Sequence, residues 1–245
     1  MKIASFDLEI AKVLDPENKD FISQGPLGIT CAACQLEGEV LYWQGRPRMT
    51  QQQCQELVSD LQGLVQQGYS LLTWNGMYFD FQVLAQESGL YEECAELALN
   101  HIDLMLIVTF SKGWFVGLQS ALEGMGLAGK LKSVRLSDGT IIDDMGGDKA
   151  PSFWEKGEYE AVLDYLEQDV LQPYLLTKKI LSHGHLRWFS KKGKAQFLNI
   201  PRLLTVRECF DIPEPDVNWM TDPPRREQFI EWAQKHLKHD FFEKV

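Results

Sequence analysis

The sequence predicts a mixed α/β fold with helices packed on a sheet, and three observations carry that expectation. Four strand-like runs, 2–10, 28–36, 39–44 and 70–75, fall in the first 75 residues. A segment with apolar residues at helical spacing, 50–67, separates the last two runs, and more helical patterns follow the fourth. The chain has 245 residues, 44% of them apolar and 24% charged, enough to bury a full-sized core and ordinary for a globular protein.

Each element has its own signal. KIASFDLEI at 2–10 alternates, with Ala4, Phe6, Leu8 and Ile10 on one face and Ile3, Ser5, Asp7 and Glu9 on the other. A polar loop over 11–26 follows, then GITCAACQL, a turn at Glu37-Gly38 and EVLYWQ, which read as a hairpin. From Thr50 to Gln67 the apolar positions are Cys54, Leu57, Val58, Leu61, Leu64 and Val65, and Gly68 ends the helix. SLLTWN is the fourth strand and FDFQVLAQES a helix directly after it. Residues 100–127 read as helix in two pieces broken near Lys112-Gly113, Lys130 to Pro151 as a long Gly- and Asp-rich loop, and 157–182 as a helix containing Pro173. Half the prolines crowd the C-terminal quarter, which reads as an irregular appendage over 183–245 beside a domain over 1–182. It ends in a predicted helix with Asp222 as N-cap, Pro223 first, and Phe229, Trp232, Ala233 and Leu237 on one face.

Composition narrows the function classes. Twenty-four Lys and Arg against 35 Asp and Glu give a net charge of −11, so a polyanionic partner has to be met locally, not by the whole surface. No apolar run approaches the roughly 18 residues of a membrane-spanning helix, and the N-terminus MKIASFDLEI lacks a signal peptide's apolar stretch; the chain reads as cytosolic with no membrane partner. Cys31, Cys34, Cys54, Cys94 and Cys209 read as reduced core thiols, because Cys31 and Cys34 sit three apart on a strand and point to opposite faces.

Chemistry gathers at three places. Asp7 and Glu9 point the same way, about 7 Å apart along a strand, so both carboxylates reach a common cation. D-x-E arises by chance about once per 300 residues, and a second copy, Asp15-Pro-Glu17, sits in a loop that fixes neither side chain. Asn75-Gly-Met-Tyr-Phe79-Asp80 follows a strand and opens a helix, which puts Asp80 at the end of the sheet where α/β folds build sites. Tyr165 and Asp169, four apart, share a helix face.

This ordered set, FDLEI at 6–10, NGMYFD at 75–80 and YLEQD at 165–169, resembles the DEDDy group of 3′–5′ exonucleases, and most of all stand-alone relatives of the proofreading domain of family B DNA polymerases. GLQSALEGMGL at 117–127 and WEKGEYEAVLDYLEQDV at 154–170 are similar to the same family, so the likeness spans about residues 1–182. A variant group has His five residues before the last acid; Asp164 stands there, which matches the tyrosine version. The resemblance implies a ribonuclease H-like fold with a mixed five-stranded sheet flanked by helices. It also implies a two-metal-ion 3′–5′ exonuclease acting on single-stranded nucleic acid with a free 3′ end, DNA favoured. Two Mg²⁺ or Mn²⁺ ions would be held by Asp7, Glu9, Asp80 and Asp169, with Asp7 bridging them, Asp80 acting largely through water and Tyr165 orienting the attacking water. Physical chemistry agrees that converging carboxylates need divalent cations, and that a phenol of pKa near 10 suits positioning better than proton abstraction. A catalytically weak binding relative and an endonuclease on the same fold are the alternative readings.

Other residues carry two readings each. Ile10 and Phe79 match positions that in the family lie near the terminal nucleotide, and core packing explains them equally well. Asn75 is a substrate contact or a turn cap. Asp103, Asp143, Asp144 and Asp164 read as surface or loop acids. Between Asp169 and Glu208 there is no acid, while the span contains Lys178, Lys179, Arg187, Lys191, Lys192, Lys194, Arg202 and Arg207. RWFS-KKGK-AQFL within it reads as a hairpin with a basic tip, so Lys191, Lys192 and Lys194 are candidates for tracking phosphates; a solvated hairpin is the other reading. Lys130, Lys132 and Arg135 form a smaller cluster of the same kind.

Overall fold

The structure, a computed structural model, describes residues 1–18, 20–129, 133–190 and 192–237. Strands β1 (Lys2–Ile10), β2 (Ile29–Gln35) and β3 (Val40–Gln44) form an antiparallel meander. Helix α1 (Gln51–Gln66) leads back to β4 (Tyr69–Thr73), which lies parallel to β1 on its open side. Helices α2 (Asp80–Ser88) and α3 (Tyr91–Asn100) precede β5 (Ile102–Asp103), parallel to β4, so the five-stranded mixed sheet has the order β3-β2-β1-β4-β5. Strands β1, β4 and β5 therefore end at the same edge of the sheet, the edge where α/β proteins assemble sites.

Sequence alternation decides what covers each face. Phe6, Leu8, Ala32 and Cys34 join Leu57, Leu61 and Phe81 in one buried cluster under α1 and α2. Cys31 and Ala33 belong to a second cluster with Trp154, Tyr165, Leu166 and Val170, so the two C-x-x-C thiols do face opposite ways. All five cysteines are buried and free, and burial pushes the Cys34 thiol up to about 12, which keeps it protonated and unreactive. Helix α1 starts where predicted, on a capping box in which Thr50 and Gln53 satisfy each other's backbone N–H. Its apolar stripe is buried from Cys54 to Leu64, but Val65, at the edge of the stripe, is exposed.

After β5 come α4 (Leu104–Lys112) and α5 (Leu118–Gly124), the two helical pieces expected, separated at Gly113. The expected loop over 130–151 contains a small hairpin, β6 (Val134–Arg135) with β7 (Ile141–Ile142), turned at Gly139 with φ +88°. Its end is also helix: α6 (Ala150–Glu155) begins around Pro151, because proline is tolerated in a first helical turn where its missing N–H has no partner to lose. Helix α7 (Tyr159–His183) crosses β1 and β2 on the face opposite α1.

The basic segment forms the expected hairpin, β8 (His185–Phe189) with β9 (Ala195–Asn199), and α8 (Val206–Cys209) follows. The predicted C-terminal helix is a correction. Among the described residues, only a 3₁₀ turn at Glu227–Phe229 and one short turn, α9 (Glu231–Gln234), form. Two successive prolines, Pro223 and Pro224, account for the later start, since the residue before a proline is pushed out of the helical region. Phe229, Trp232 and Ala233 are buried as the predicted face required, and they join the same cluster as Phe6 and Phe81. No helix among the described residues is long and apolar enough to cross a membrane.

Candidate active site

Asp7 and Glu9 project from the last turns of β1 toward α7, opposite Ala33 and Cys31 of β2. The small neighbours matter: with only a methyl and a thiol beside them, α7 packs close enough for Tyr165 and Asp169 to meet the strand. The Leu8 N–H donates to Asp7 Oδ1 at 3.0 Å, and the Thr30 hydroxyl donates to the Glu9 carbonyl at 3.0 Å, which fixes the backbone just before a bulge at Glu9/Ile10. Helix α7 is also tied to β3, where the Tyr42 hydroxyl donates to Glu167 Oε2 at 2.5 Å, and α6 is tied to the end of β3, where the Trp154 indole donates to the Gly45 carbonyl at 3.1 Å.

Tyr165 and Asp169 are buried and joined by a hydrogen bond from the phenol to the carboxylate. Burial first, then the charges of Asp169 and Glu9, push the Tyr165 hydroxyl far above its ordinary range. A phenol in that state holds its proton near neutrality.

Asp80 arrives by a different route. After β4, Asn75 takes a left-handed turn with φ 78°, and the Tyr78 and Phe79 N–H groups donate to its carbonyl. Gly76 comes so close to Thr73 that a Cβ there would sit 2.5 Å from Thr73 Oγ1; the glycine instead donates its N–H to that oxygen at 2.9 Å. Asp80 then opens α2 with its side chain buried. Burial, followed by the neighbouring Asp7 charge, raises its carboxyl well above the usual range, and the two acids share a hydrogen bond. Asp80 Oδ1 has no hydrogen-bond partner among the described residues.

The loop that presents Asp80 is organised by an acid expected at the surface. Asp103 is wholly buried: its Oδ1 accepts from the N–H groups of Asn75, Met105 and Leu106 at 3.0, 3.0 and 3.2 Å, and its Oδ2 from Met77 at 3.1 Å. It therefore caps α4 and ties down residues 75–77 together. Burial pushes it up to about 6, with the four amides pulling the other way. His101, two residues before, is buried and neutral, its acidity shifted by burial to about 3, and its Nε2 meets Thr73 Oγ1 at 2.9 Å. The sequence signal for Asp103 was its place immediately before the apolar run LMLIVTF, as an N-cap. Asp143, Asp144 and Asp164 are exposed, as expected.

A cleft of 530 Å³ opens over these groups. Asp7, Glu9, Tyr165 and Asp169 line it together with Ile10, Asn75 and Phe79, so seven of the sequence candidates meet in one place, with Asp80 buried behind Asp7. The remaining wall was not foreseen: Lys12, Leu14, Pro16 and Phe21 from loop 11–26, and Gly147, Asp148 and Pro151 ahead of and within α6. Of the basic hairpin, Lys192 and Lys194 are exposed near the tip and do not line the cleft, while Lys191, like Lys130 and Lys132, lies outside the described residues. The decoy Asp15-Pro-Glu17 is spent on its own turn, with Asp15 Oδ1 accepting from the Glu17 N–H at 3.0 Å.

The donor set suits a hard divalent cation. Every candidate ligand is a carboxylate oxygen, and an acid pair sharing a proton beside an orphaned buried oxygen is an arrangement that a cation in place of the proton would relieve. As the side chains lie, no three His, Cys, Asp or Glu among the described residues close on one point. Protein-family models give no match to the chain, and the curated proteins give none either.

Proposed function

We propose that the chain is a metal-dependent 3′–5′ exonuclease of ribonuclease H-like fold, releasing nucleoside monophosphates from the 3′ end of single-stranded nucleic acid, DNA favoured. One observation carries the reading: Asp7, Glu9, Asp80, Tyr165 and Asp169, from three separate segments, meet at the edge where β1, β4 and β5 end. The strand order β3-β2-β1-β4-β5 fits a ribonuclease H-like layout. A walled cleft of 530 Å³ is the size of a small-ligand pocket, which suits one terminal nucleotide better than the middle of a strand.

Asp7, Glu9, Asp80 and Asp169 would hold two Mg²⁺ or Mn²⁺ ions, which when bound stabilise charge on the attacking and leaving oxygens. Tyr165 donates its proton to Asp169, and its oxygen, as a hydroxyl acceptor, would take a hydrogen bond from the attacking water and aim it at phosphorus. Water adds to phosphorus and the bond to the 3′ oxygen of the preceding sugar breaks, leaving a 5′-monophosphate and a new 3′-hydroxyl. Asn75, Phe79 and Ile10 line the space for the departing nucleotide. End-labelled linear strands and a closed single-stranded circle, each incubated with Mg²⁺, Mn²⁺ or EDTA, test this. Monophosphates from the 3′ end, an intact circle and no reaction in EDTA are expected; cutting of the circle or release from the 5′ end would overturn it.

A further inference from the structure

We propose that Lys12 is the phosphate-binding residue of the cleft, its ammonium taking a non-bridging oxygen of the phosphate that joins the terminal nucleotide to the strand; this rests on the exonuclease reading above. Among the described residues that line the cleft, Lys12 is the one cation, in a lining that also holds the carboxylates of Asp7, Glu9, Asp148 and Asp169. A phosphodiester entering this space adds a further negative charge. Divalent cations, when bound, would offset the carboxylates, but the loop wall has to offer its own positive group if the strand is to be gripped there.

The backbone geometry makes Lys12 a fixed feature of the wall. Ala11 N–H donates to the Leu27 and Gly28 carbonyls, both at 3.1 Å, and Lys12 N–H to the Leu27 carbonyl at 3.0 Å, so its Cα is tied to the start of β2. Its ammonium donates to the Gln24 carbonyl, which uses one of three N–H groups. That bond is not what holds the loop. Gln24 already secures it through its own side chain, accepting from the Asp15 N–H at 2.8 Å and donating to the Asp15 and Asn18 carbonyls at 3.3 and 3.1 Å. The side chain of Lys12 is thus structurally redundant and chemically placed. The same loop brings Leu14, Pro16 and Phe21 into the lining of the cleft, an apolar surface against which a nucleobase packs while its phosphate reaches Lys12.

The experiment compares the full chain with Lys12→Ala and Lys12→Arg. Affinity for a short 3′-ended oligothymidylate is measured at several salt concentrations, with Ca²⁺ present to suppress cleavage, alongside melting temperature and nucleotide release in Mn²⁺. Lys12→Ala is expected to bind about tenfold more weakly, with a salt slope flatter by about 0.7, an unchanged melting temperature, and Lys12→Arg restoring the slope. An unaltered slope in Lys12→Ala overturns the inference, and a lowered melting temperature with that slope makes Lys12 a loop pin. Failure of the underlying reading looks different: the unsubstituted chain would then neither bind the strand nor release nucleotides.

Discussion

Asp80 lies in the core beside Asp7 with one oxygen unmatched, so the pair favours protonation. Asp80→Asn keeps the shape and removes the charge. The metal-free variant is expected to melt no lower than the unsubstituted protein, while nucleotide release falls about 1,000-fold or more, the loss of several kcal/mol of transition-state stabilisation. Paired calorimetry and turnover assays check this, and a folded variant with retained activity would contradict it. Tyr165→Phe removes a hydroxyl whose proton is held by Asp169; single-turnover rates should fall about 10- to 1,000-fold with metal affinity unchanged. An unchanged rate would reduce Tyr165 to packing. These residues were legible because strand alternation and helical spacing set their directions. Lys12 and Phe21 were not, since loop 11–26 has no period, and its place over the cleft depends on backbone bonds to Leu27 and Gly28 that no local pattern announces.

At the scale of elements, the two-residue strand β5 escaped the sequence reading because neither alternation nor length could show in Ile102–Asp103, yet it delivers the acid that shapes the Asp80 loop. Its neighbours also set a pH signature. His101 stays neutral in the folded protein down to about 3, so its contribution is present above about 6.5, the unfolded value, and is lost as pH falls toward 3. Asp103, raised to about 6, does the reverse: its contribution is present below about 4 and lost as pH rises through 6. Between about pH 4 and 6 the two slopes oppose each other. Asp103→Asn leaves His101 uncompensated, and an amide offers one acceptor oxygen where four N–H groups converge. We expect a loss of about 2 to 4 kcal/mol at pH 7 and a stability that drops with acid about 1.4 kcal/mol per pH unit more steeply than in the unsubstituted protein. Urea unfolding at pH 4.5, 5.5 and 6.5 measures both; parallel profiles would contradict the pairing.

Across the whole molecule, the C-terminal segment reaches back to the site. The Trp232 indole donates to the Met77 carbonyl at 2.8 Å, and Phe229 packs against Phe110 and Tyr78, so residues after 183 brace the Asp80 loop from outside. Apolar spacing revealed which of those side chains are buried, but the helix it suggested starts later and is shorter among the described residues. The basic hairpin formed as read, and its place bears on its use: Gly184, where it begins, follows Asp169 by about 22 Å of helix. Lys192→Ala with Lys194→Ala should therefore weaken binding of strands longer than about six nucleotides and leave shorter ones unaffected; equal loss on both would contradict that distance. The central claim is that acids from three separate segments act together on a phosphodiester. Its most direct test is release of nucleoside monophosphate from a 3′-labelled single strand in Mn²⁺ by the unsubstituted protein and by Asp7→Ala, both verified as folded by melting temperature. Steady release by the first and none by the second is expected; equal release by both, or none by either, would overturn the proposed function.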